Sequence, residues 1–347
     1  MSTICTSVDF HTAGEPFRIV ADPPVAIPGS SVAEARERAV AGSAVDDLRR
    51  LLCFEPRGHA DMYGGFITAA DDDGADFGVL FWHKDGFSTA CGHGTMALGA
   101  WAVTSGIVAV DPSGTTEVTI DVPSGRVHAQ VHTDPQGRTT SVDFVNVPSR
   151  LVASGIPVPT SWGPVSVDLA WGGALYALVD VAQLDAVQFD DAAVDGSGLV
   201  VPENLTALIA VGREVKAGLA ENPHIVHPED ERLSGVYGTI FVDRFGNLPT
   251  GELHQRNVTI FADGQVDRSP CGSGTAARAA ALHATGELRP GQSLIHESIV
   301  GTRFRASVLE EIADGVIPIV TGSAHRVATS TFETDPLDEL VPGFVLR

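Results

Sequence analysis

Short apolar runs that alternate with polar residues, or that are rich in β-branched side chains, recur along this 347-residue chain. Such runs, separated by turn sequences such as DPQG and PSGR, are typical of β-strands. The clearest of them are TEVTIDV, RVHAQVH, SVDFVNV, LYALVDV, GTIFVD and VIPIVTG. Two longer stretches, VAEARERAVAG and NLTALIAVGREVKAG, predict helices instead. The pattern therefore predicts an α+β protein rich in sheet.

One unit of this pattern occurs twice. Residues 91–95 read CGHGT and residues 271–275 read CGSGT. A β-rich apolar run precedes each copy, and a small, apolar, Ala-containing segment follows each and stops at Gly106 or Gly286. We interpret each copy as a strand, a glycine-rich turn, a buried helix and a helix-ending glycine. The repeat predicts two pseudosymmetric, sheet-rich domains, each wrapped around a central helix.

The boundary between these domains is expected near a proline-rich segment, IPVPTSWGP, at residues 156–164. We predict a first domain over residues 1–160 and a second domain over residues 161–324. The C-terminal segment 325–347 is expected to return to the first domain.

Charge and composition exclude several classes of function. The chain carries 22 basic and 44 acidic residues, a formal net charge of −22, whereas nucleic-acid-binding proteins and proteins that bind anionic membranes need a basic face. No stretch approaches the ~20 apolar residues of a membrane span. The N-terminal sequence lacks the pattern of a signal peptide, so we expect a cytoplasmic location.

Four cysteines are present, and no two form a CxxC pair, so the sequence predicts no metal site. Cys5 and Cys53 lie in apolar settings and are expected to be buried, inert thiols. Cys91 and Cys271 each begin a predicted helix. The positive end of a helix favours a thiolate, and its free N–H groups bind carboxylates.

Two such helix starts facing each other would hold a carboxylate and place one sulfur on each side of the adjacent α-carbon. One thiolate would remove the α-proton, and the other thiol would return a proton to the opposite face. Pyridoxal phosphate would need a Schiff-base lysine, and the only lysines are Lys84, in a turn, and Lys216, in a polar helix-like stretch that we interpret as solvent-facing. We therefore expect no cofactor. A redox pair of these cysteines is disfavoured in a reducing cytoplasm.

At these residues the sequence resembles the proline racemase family, which includes proline racemase, hydroxyproline 2-epimerase and trans-3-hydroxy-L-proline dehydratase. The motifs that carry the resemblance cover most of the chain: DFHTAGEPFRIV (9–20), EPRGHADMYGG (55–65), GFSTACGHGTMALG (86–99), WGGALYALVD (171–180), SGVYGTIF (234–241), DRSPCGSGTAAR (267–278) and ESIVGTRF (297–304). The resemblance implies a diaminopimelate-epimerase-like fold with the active site in the cleft between two similar domains.

The resemblance also implies roles for individual residues. Cys91 and Cys271 would be the two acid/base residues, and Asp267 would bind the ring nitrogen of the substrate. Four neighbours would contact the substrate carboxylate: Gly92, His93, Gly272 and Ser273. Phe261 and Tyr63 match positions that wall the ring, although the family usually has phenylalanine where this chain has Tyr63. Each of these residues also has a structural alternative, as a turn cap, a helix-entry residue or plain core.

The second cysteine decides the expected reaction. Dehydratases of the family carry threonine at the position of Cys271, and without a second acid, elimination replaces reprotonation. Cys271 therefore predicts cofactor-independent racemisation or epimerisation at the α-carbon of proline or hydroxyproline, by two thiols. The sequence around the first cysteine, GFSTACGHG, is more similar to that of the dehydratases. Tyr237 lies near the position at which hydroxyproline epimerases tend to carry histidine.

Three imino acids therefore remain open as the substrate: proline, 4-hydroxyproline and 3-hydroxyproline. A trans-3-hydroxy-L-proline dehydratase is the alternative function. The third possible function is that of a protein with this fold that binds an imino acid without catalysing a reaction. The expected partners are the small imino acid and a second copy of the chain in a homodimer.

Overall fold

The computed structural model describes residues 4–40, 42–184, 198–228 and 231–346. By contacts between Cα atoms the chain divides into two units. The first consists of Met1–Phe144 and Gly322–Arg347, and the second of Val145–Thr321.

Strands of the first unit follow one another mainly through short turns, so that most neighbours pair antiparallel. They are β1 (Ile4–Thr12), β2 (Glu15–Val20), β3 (Tyr63–Thr68), β4 (Phe77–His83), β5 (Gly86–Phe87), β6 (Thr115–Val122), β7 (Gly125–Thr133) and β18 (Ala324–Glu333), with β8 (Thr139–Val145) at the boundary. β1 pairs antiparallel with β18 and with β2, β2 parallel with β3, and β3 antiparallel with β4. β4 forms a hairpin with β5 and pairs parallel with β6, which pairs antiparallel with β7.

The second unit repeats this order of pairing. Its strands are β9 (Arg150–Thr160), β10 (Gly163–Trp171), β11 (Leu175–Asp180), β12 (Val236–Asn247), β13 (Leu253–Phe261), β14 (Gln265–Asp267), β15 (Leu294–Ser298), β16 (Arg303–Ile312) and β17 (Gly315–Gly322). β9, β10 and β11 pair antiparallel in sequence, β11 pairs parallel with β12, and β12 pairs antiparallel with β13. β13 forms a hairpin with β14 and pairs parallel with β15, and β15, β16 and β17 continue antiparallel.

One helix occupies the same place in each unit, between the hairpin and the next parallel strand. These helices are α3 (Gly92–Thr104) and α5 (Gly272–Ala284), 13 residues each. Every residue from Gly92 to Val103 is buried, as is every residue from Gly272 to Leu282, because neither helix has a polar face. Gly106 and Gly286 follow the two helices with φ of 76°, a conformation that glycine adopts without strain. The predicted internal repeat is thus confirmed.

Three further α-helices in the described ranges lie outside the repeat motif. α1 (Val32–Val40) and α2 (Ala44–Cys53) join β2 to β3, and α4 (Leu205–Gly218) lies between β11 and β12, the matching connection of the second unit. Their apolar faces complete a separate core in each unit. One core gathers Leu48, Leu52, Phe66, Leu80 and Trp82, and the other Leu208, Val211, Phe241, Val258 and Ile260.

The division by contacts places the boundary at residue 145, before the predicted one near residue 160. The proline-rich segment is not a linker, because it forms the end of β9, a turn and the start of β10. Pro157 lies opposite Ser166, and Pro159 lies opposite Pro164. A strand accommodates proline where the missing N–H is not needed by its partner.

None of the helices in the described ranges is long and apolar enough to span a membrane.

Candidate functional site

The first motif cysteine begins helix α3. Cys91 is the N-cap residue, and the N–H of Gly94 donates to its Sγ at 3.2 Å. Sγ also lies 3.4 Å from Nδ1 of His93. The side chain is buried, with 6% of the residue exposed. A thiolate here would be stabilised by the Gly94 N–H and by the positive end of the helix.

His93 is fixed by a hydrogen bond to its backbone carbonyl and by two aromatic rings that pack against its side chain. Its carbonyl accepts a hydrogen bond from the hydroxyl of Thr12 at 2.9 Å. Its ring packs edge-on against Tyr63, at 5.0 Å between centroids, and against Phe17 at 5.8 Å. The phenol of Tyr63 shares a hydrogen bond with the hydroxyl of Ser88, and both residues are buried. The first unit therefore groups four of the predicted site residues: Cys91, Gly92, His93 and Tyr63.

The second motif cysteine begins helix α5 with a different backbone. Cys271 has φ of 64°, in the left-handed region that favours glycine, whereas Cys91 has φ of −156°. The N–H of Cys271 donates to Oγ of Ser269 at 3.1 Å. Ser269 in turn donates to Oδ1 of Asp267, from its N–H at 2.8 Å and from its hydroxyl at 2.7 Å. The buried Asp267 carboxylate therefore fixes the turn that orients Cys271.

The hydroxyl of Tyr176 lies beside the second sulfur, and the hydroxyl of Ser273 lies beside that of Tyr176. Oη of Tyr176 is 3.7 Å from Sγ of Cys271 and 2.7 Å from Oγ of Ser273. Burial raises the pKa of the Cys271 thiol well above its usual range, and the negative charge of Asp267 raises it further. Cys271 therefore rests as a neutral thiol near pH 7. Burial likewise raises the pKa of Tyr176, so its phenol keeps its proton.

Asp267 and Phe261 lie at the two ends of the β13–β14 hairpin. Burial raises the pKa of the Asp267 carboxyl, and the hydrogen bonds from Ser269 oppose that effect. A cation beside this carboxylate would offset the burial and favour the charged form. Phe261 stacks on Tyr237 with an interplanar angle of 10°. The second unit therefore groups the other five predicted residues: Phe261, Asp267, Cys271, Gly272 and Ser273.

The second glycine of each motif leaves space for the sulfur of the cysteine. A Cβ atom on Gly94 would lie 2.8 Å from Sγ of Cys91, and a Cβ atom on Gly274 would lie 2.9 Å from Sγ of Cys271. Carbon and sulfur do not approach so closely without displacement. The sequence explained these glycines by a tight turn, and the structure adds that they leave space for the sulfur.

Sequence reasoning missed three residues of these two groups. Ser269 stands two residues before Cys271 in the sequence SPC, a position where a hydroxyl commonly bonds the local backbone, so a signal existed. Tyr176 is 97 residues from Ser273, and no local pattern connects them. Ser88 lies in the first motif, but only its bond to Tyr63 distinguishes it.

The remaining cysteines and the lysines have structural environments. Burial raises the pKa of Cys5 to about 11 and that of Cys53 to about 12, as expected for inert thiols. Lys84 forms an ion pair with Asp85 at 3.2 Å. The interpretation of Lys216 as solvent-facing is wrong, because it is half-buried and its Nζ donates to the carbonyl of Ala262 at 2.9 Å. Among the residues that the structure describes, no cluster of three His, Cys, Asp or Glu could hold a metal ion.

Comparisons with known proteins agree on the family to which this chain is similar. Residues 7–345 match the family model described as proline racemase. The chain is 41% identical to a trans-3-hydroxy-L-proline dehydratase of Burkholderia cenocepacia and 41% identical to a 3-hydroxyproline 2-epimerase of Burkholderia multivorans. Each match covers 100% of this chain and 99% of the relative.

Among solved structures, a hydroxyproline epimerase from Agrobacterium vitis with bound trans-4-hydroxy-L-proline superimposes with a TM-score of 0.85 at 30% identity. That match covers 99% of this chain and 96% of the other. The predicted α+β, epimerase-like fold is therefore confirmed.

Proposed function

Because this chain belongs to the proline racemase family, we propose that it epimerises 3-hydroxyproline at the α-carbon, with Cys91 and Cys271 as the two acid/base residues. The two thiols would act on opposite faces of the substrate.

The observation that carries the proposal is the second thiol. Cys271 is the N-cap of α5, as Cys91 is of α3, and each sulfur lies over a glycine of the first helical turn. Because its pKa is raised, Cys271 retains a proton that it can donate to the α-carbon. An enzyme that only eliminates water needs one base to take the α-proton, whereas inversion needs an acid on the other face as well.

The groups around the two thiols suit an imino acid. Asp267 would pair with the secondary ammonium of the ring, and the ammonium would favour the charged form of this buried carboxylate. Phe261 and Tyr63 would contact the ring. The carboxylate would be bound at the starts of α3 and α5, by the residues that follow each cysteine: Gly92, His93, Gly272 and Ser273.

A hydroxylated ring suits the first unit better than plain proline. The phenol of Tyr63 and the hydroxyl of Ser88 form a buried polar pair in an otherwise aromatic setting. A substrate hydroxyl can join such a pair as donor or acceptor, whereas a methylene cannot. The names of the two Burkholderia relatives support the 3-hydroxyl in particular, since both refer to 3-hydroxyproline.

The proposed reaction has two proton transfers. A thiolate removes the α-proton, and the electron pair of the C–H bond passes into the substrate carboxylate as an enediolate. N–H groups at the helix starts and the hydroxyl of Ser273 stabilise that negative charge. The opposite thiol then donates its proton to the other face of the α-carbon. The reverse reaction exchanges the roles of Cys91 and Cys271.

Dehydration is the second candidate, because a dehydratase is as similar to this chain as an epimerase. In that reaction the carbanion expels the 3-hydroxyl, which leaves as water after taking up the proton that the thiolate removed from the α-carbon, and the resulting enamine tautomerises to an imine. The substrate and the first proton transfer are shared, so only the product distinguishes the two reactions.

The deciding experiment incubates the enzyme with trans-3-hydroxy-L-proline in deuterated water and follows the products by NMR and chiral chromatography. We expect cis-3-hydroxy-D-proline with deuterium at the α-carbon. Cys91→Ser and Cys271→Ser should each lower inversion by about a thousandfold. Cys271→Thr should lose inversion while elimination of water appears.

The wild-type result also decides between the alternatives. Pyrroline-2-carboxylate as the only product would replace the proposal with dehydration. No turnover of 3-hydroxyproline, 4-hydroxyproline or proline would indicate a binding protein instead.

A further inference from the structure

A row of three polar atoms lies inside the second unit. Sγ of Cys271, Oη of Tyr176 and Oγ of Ser273 are joined by contacts of 3.7 Å and 2.7 Å. Tyr176 is only 1% exposed, so water does not replace its hydroxyl in this row. We refer to these three side chains as the hydroxyl row.

We propose that Tyr176 is a positioning residue whose hydroxyl turns towards whichever end of the hydroxyl row carries negative charge during turnover. This inference rests on the proposed function in two respects: Cys271 exchanges a proton with the α-carbon, and Ser273 contacts the substrate carboxylate.

The row can hold its hydrogens in two directions, because each hydroxyl both donates and accepts. When Cys271 is a thiol, its S–H donates to Oη, the phenol donates to Ser273, and Ser273 donates to the carboxylate. When Cys271 is a thiolate, Ser273 donates to Oη and the phenol donates to Sγ. Each hydrogen stays on its own oxygen and only rotates, so the row itself transfers no proton.

The reversal follows the charge of the reaction. When the Cys271 thiolate takes the α-proton, negative charge leaves the sulfur and develops on the substrate carboxylate. At that step the row stops donating to the sulfur and starts donating to the carboxylate. Hydrogen bonds to charged groups are stronger than those to neutral groups, and more so in a buried site. The row therefore stabilises the charge at both ends of the step.

The substitution Tyr176→Phe isolates this effect. The ring packs edge-on against Tyr237, at 5.7 Å between centroids, and lies in an apolar cluster with Leu178 and Ile240. Phenylalanine keeps those contacts and removes only the hydroxyl. We expect kcat to fall on the order of 10- to 100-fold with KM little changed. The double variant Tyr176→Phe, Ser273→Ala should be no slower than the slower single variant, because both break the same row.

A second measurement does not depend on turnover. In a Cys91→Ser background, the rate at which iodoacetamide alkylates Cys271 reports its thiolate as a function of pH. Tyr176→Phe should move this profile to higher pH, because the thiolate loses a donor. Tyr237→Phe is the matched control, since it removes the hydroxyl of the neighbouring ring, and its alkylation profile should coincide with that of the background.

The outcomes separate the two proposals. Unchanged kcat in Tyr176→Phe, or a lower kcat with an unmoved alkylation profile, would overturn the role of Tyr176. Full inversion by Cys271→Ser would refute the proposed function, whereas the alkylation profile would still show whether Tyr176 bonds the Cys271 thiolate.

Discussion

At the scale of single residues, the backbone of Cys271 has a conformation that residues with a side chain rarely adopt. Its φ of 64° is costly for a residue with a side chain, by about 1–3 kcal/mol. The hydrogen bonds from Cys271 to Ser269 and from Ser269 to Asp267 oppose this cost. The same three residues thus connect a proposed substrate-binding carboxylate to the position of a proposed catalytic sulfur.

Removing the middle of this chain of hydrogen bonds should affect both stability and activity. In Ser269→Ala the N–H of Cys271 loses its acceptor, and we expect the free energy of unfolding to fall by about 1 kcal/mol and kcat to fall about tenfold. Urea denaturation and steady-state kinetics measure the two effects. Ser161→Ala, in an exposed turn of the same unit, is the control and should change neither. A normal kcat in Ser269→Ala would contradict the prediction.

A buried histidine gives the second unit a predictable dependence on pH. His296 is fully buried, its Nδ1 is 2.8 Å from the hydroxyl of Thr275, and burial lowers its pKa to about 3. Between the ordinary pKa of 6.5 and 3, the unfolded chain binds a proton that the folded protein does not. The stability that His296 contributes is therefore complete above pH 6.5 and is lost as the pH falls.

Replacing this histidine tests the sign of that effect. In His296→Gln the free energy of unfolding should fall less steeply below pH 6.5, by up to about 1.4 kcal/mol per pH unit. Urea denaturation between pH 7 and pH 4 measures the slope. His224→Gln, at an exposed position, should leave the slope unchanged. Equal slopes in the wild type and His296→Gln would disprove the assignment.

At the scale of elements, the two copies of the cysteine motif share a helix start, a helix length and a glycine beneath the sulfur. Gly274 should tolerate a methyl group better when the sulfur is absent. Gly274→Ala is expected to destabilise the wild type by about 1–3 kcal/mol, and to cost less in a Cys271→Ala background. Ile240 lies 2.8 Å from the added carbon, so part of the cost should remain.

Chemical denaturation of the four proteins completes this thermodynamic cycle. The same cost of Gly274→Ala in both backgrounds would mean that the sulfur does not require the glycine.

Much of this element structure could be predicted, because it depends on local pattern. The apolar periodicity gave the strands and the repeated motif gave both central helices. The short strands β5 and β14 between strand and cysteine have too few residues to form a pattern. The proline-rich segment misled the placement of the boundary, since Pro157 and Pro159 usually indicate a loop. Tyr176 was missed because the packing of helix α5 against strand β11, not local sequence, brings it to Ser273.

At the scale of the whole molecule, the first unit is discontinuous in sequence. Its N-terminal strand β1 pairs with β18 along nearly its whole length, from Ile4 opposite Glu333 to Thr12 opposite Ala324. Arg18, which is bonded to Asp9, also packs its guanidinium over the ring of Phe332 at 4.5 Å. The last strand therefore completes a unit that begins at the other end of the chain.

Truncation tests this dependence on the C-terminal strand. A chain ending at residue 321 lacks β18, leaves β1 without that partner and should be largely insoluble or unfolded. A chain ending at residue 334 keeps β18 and loses only the final contacts, such as those of Phe344 with Glu55, so it should fold with a lower melting temperature. Circular dichroism and thermal melting compare the two. Normal folding of the shorter chain would refute the argument.

The different local structures at the two cysteines have a consequence for the protonation state of the enzyme between turnovers. Cys91 lies on extended backbone beside an imidazole, and Cys271 on left-handed backbone beside a phenol, so the two sulfurs have different chemical surroundings. Under the proposed mechanism, one distribution of the single exchangeable proton then dominates the empty enzyme. One of the two epimers then binds to an enzyme whose thiolate already faces its α-proton. The other epimer can react only after the proton has moved from one cysteine to the other.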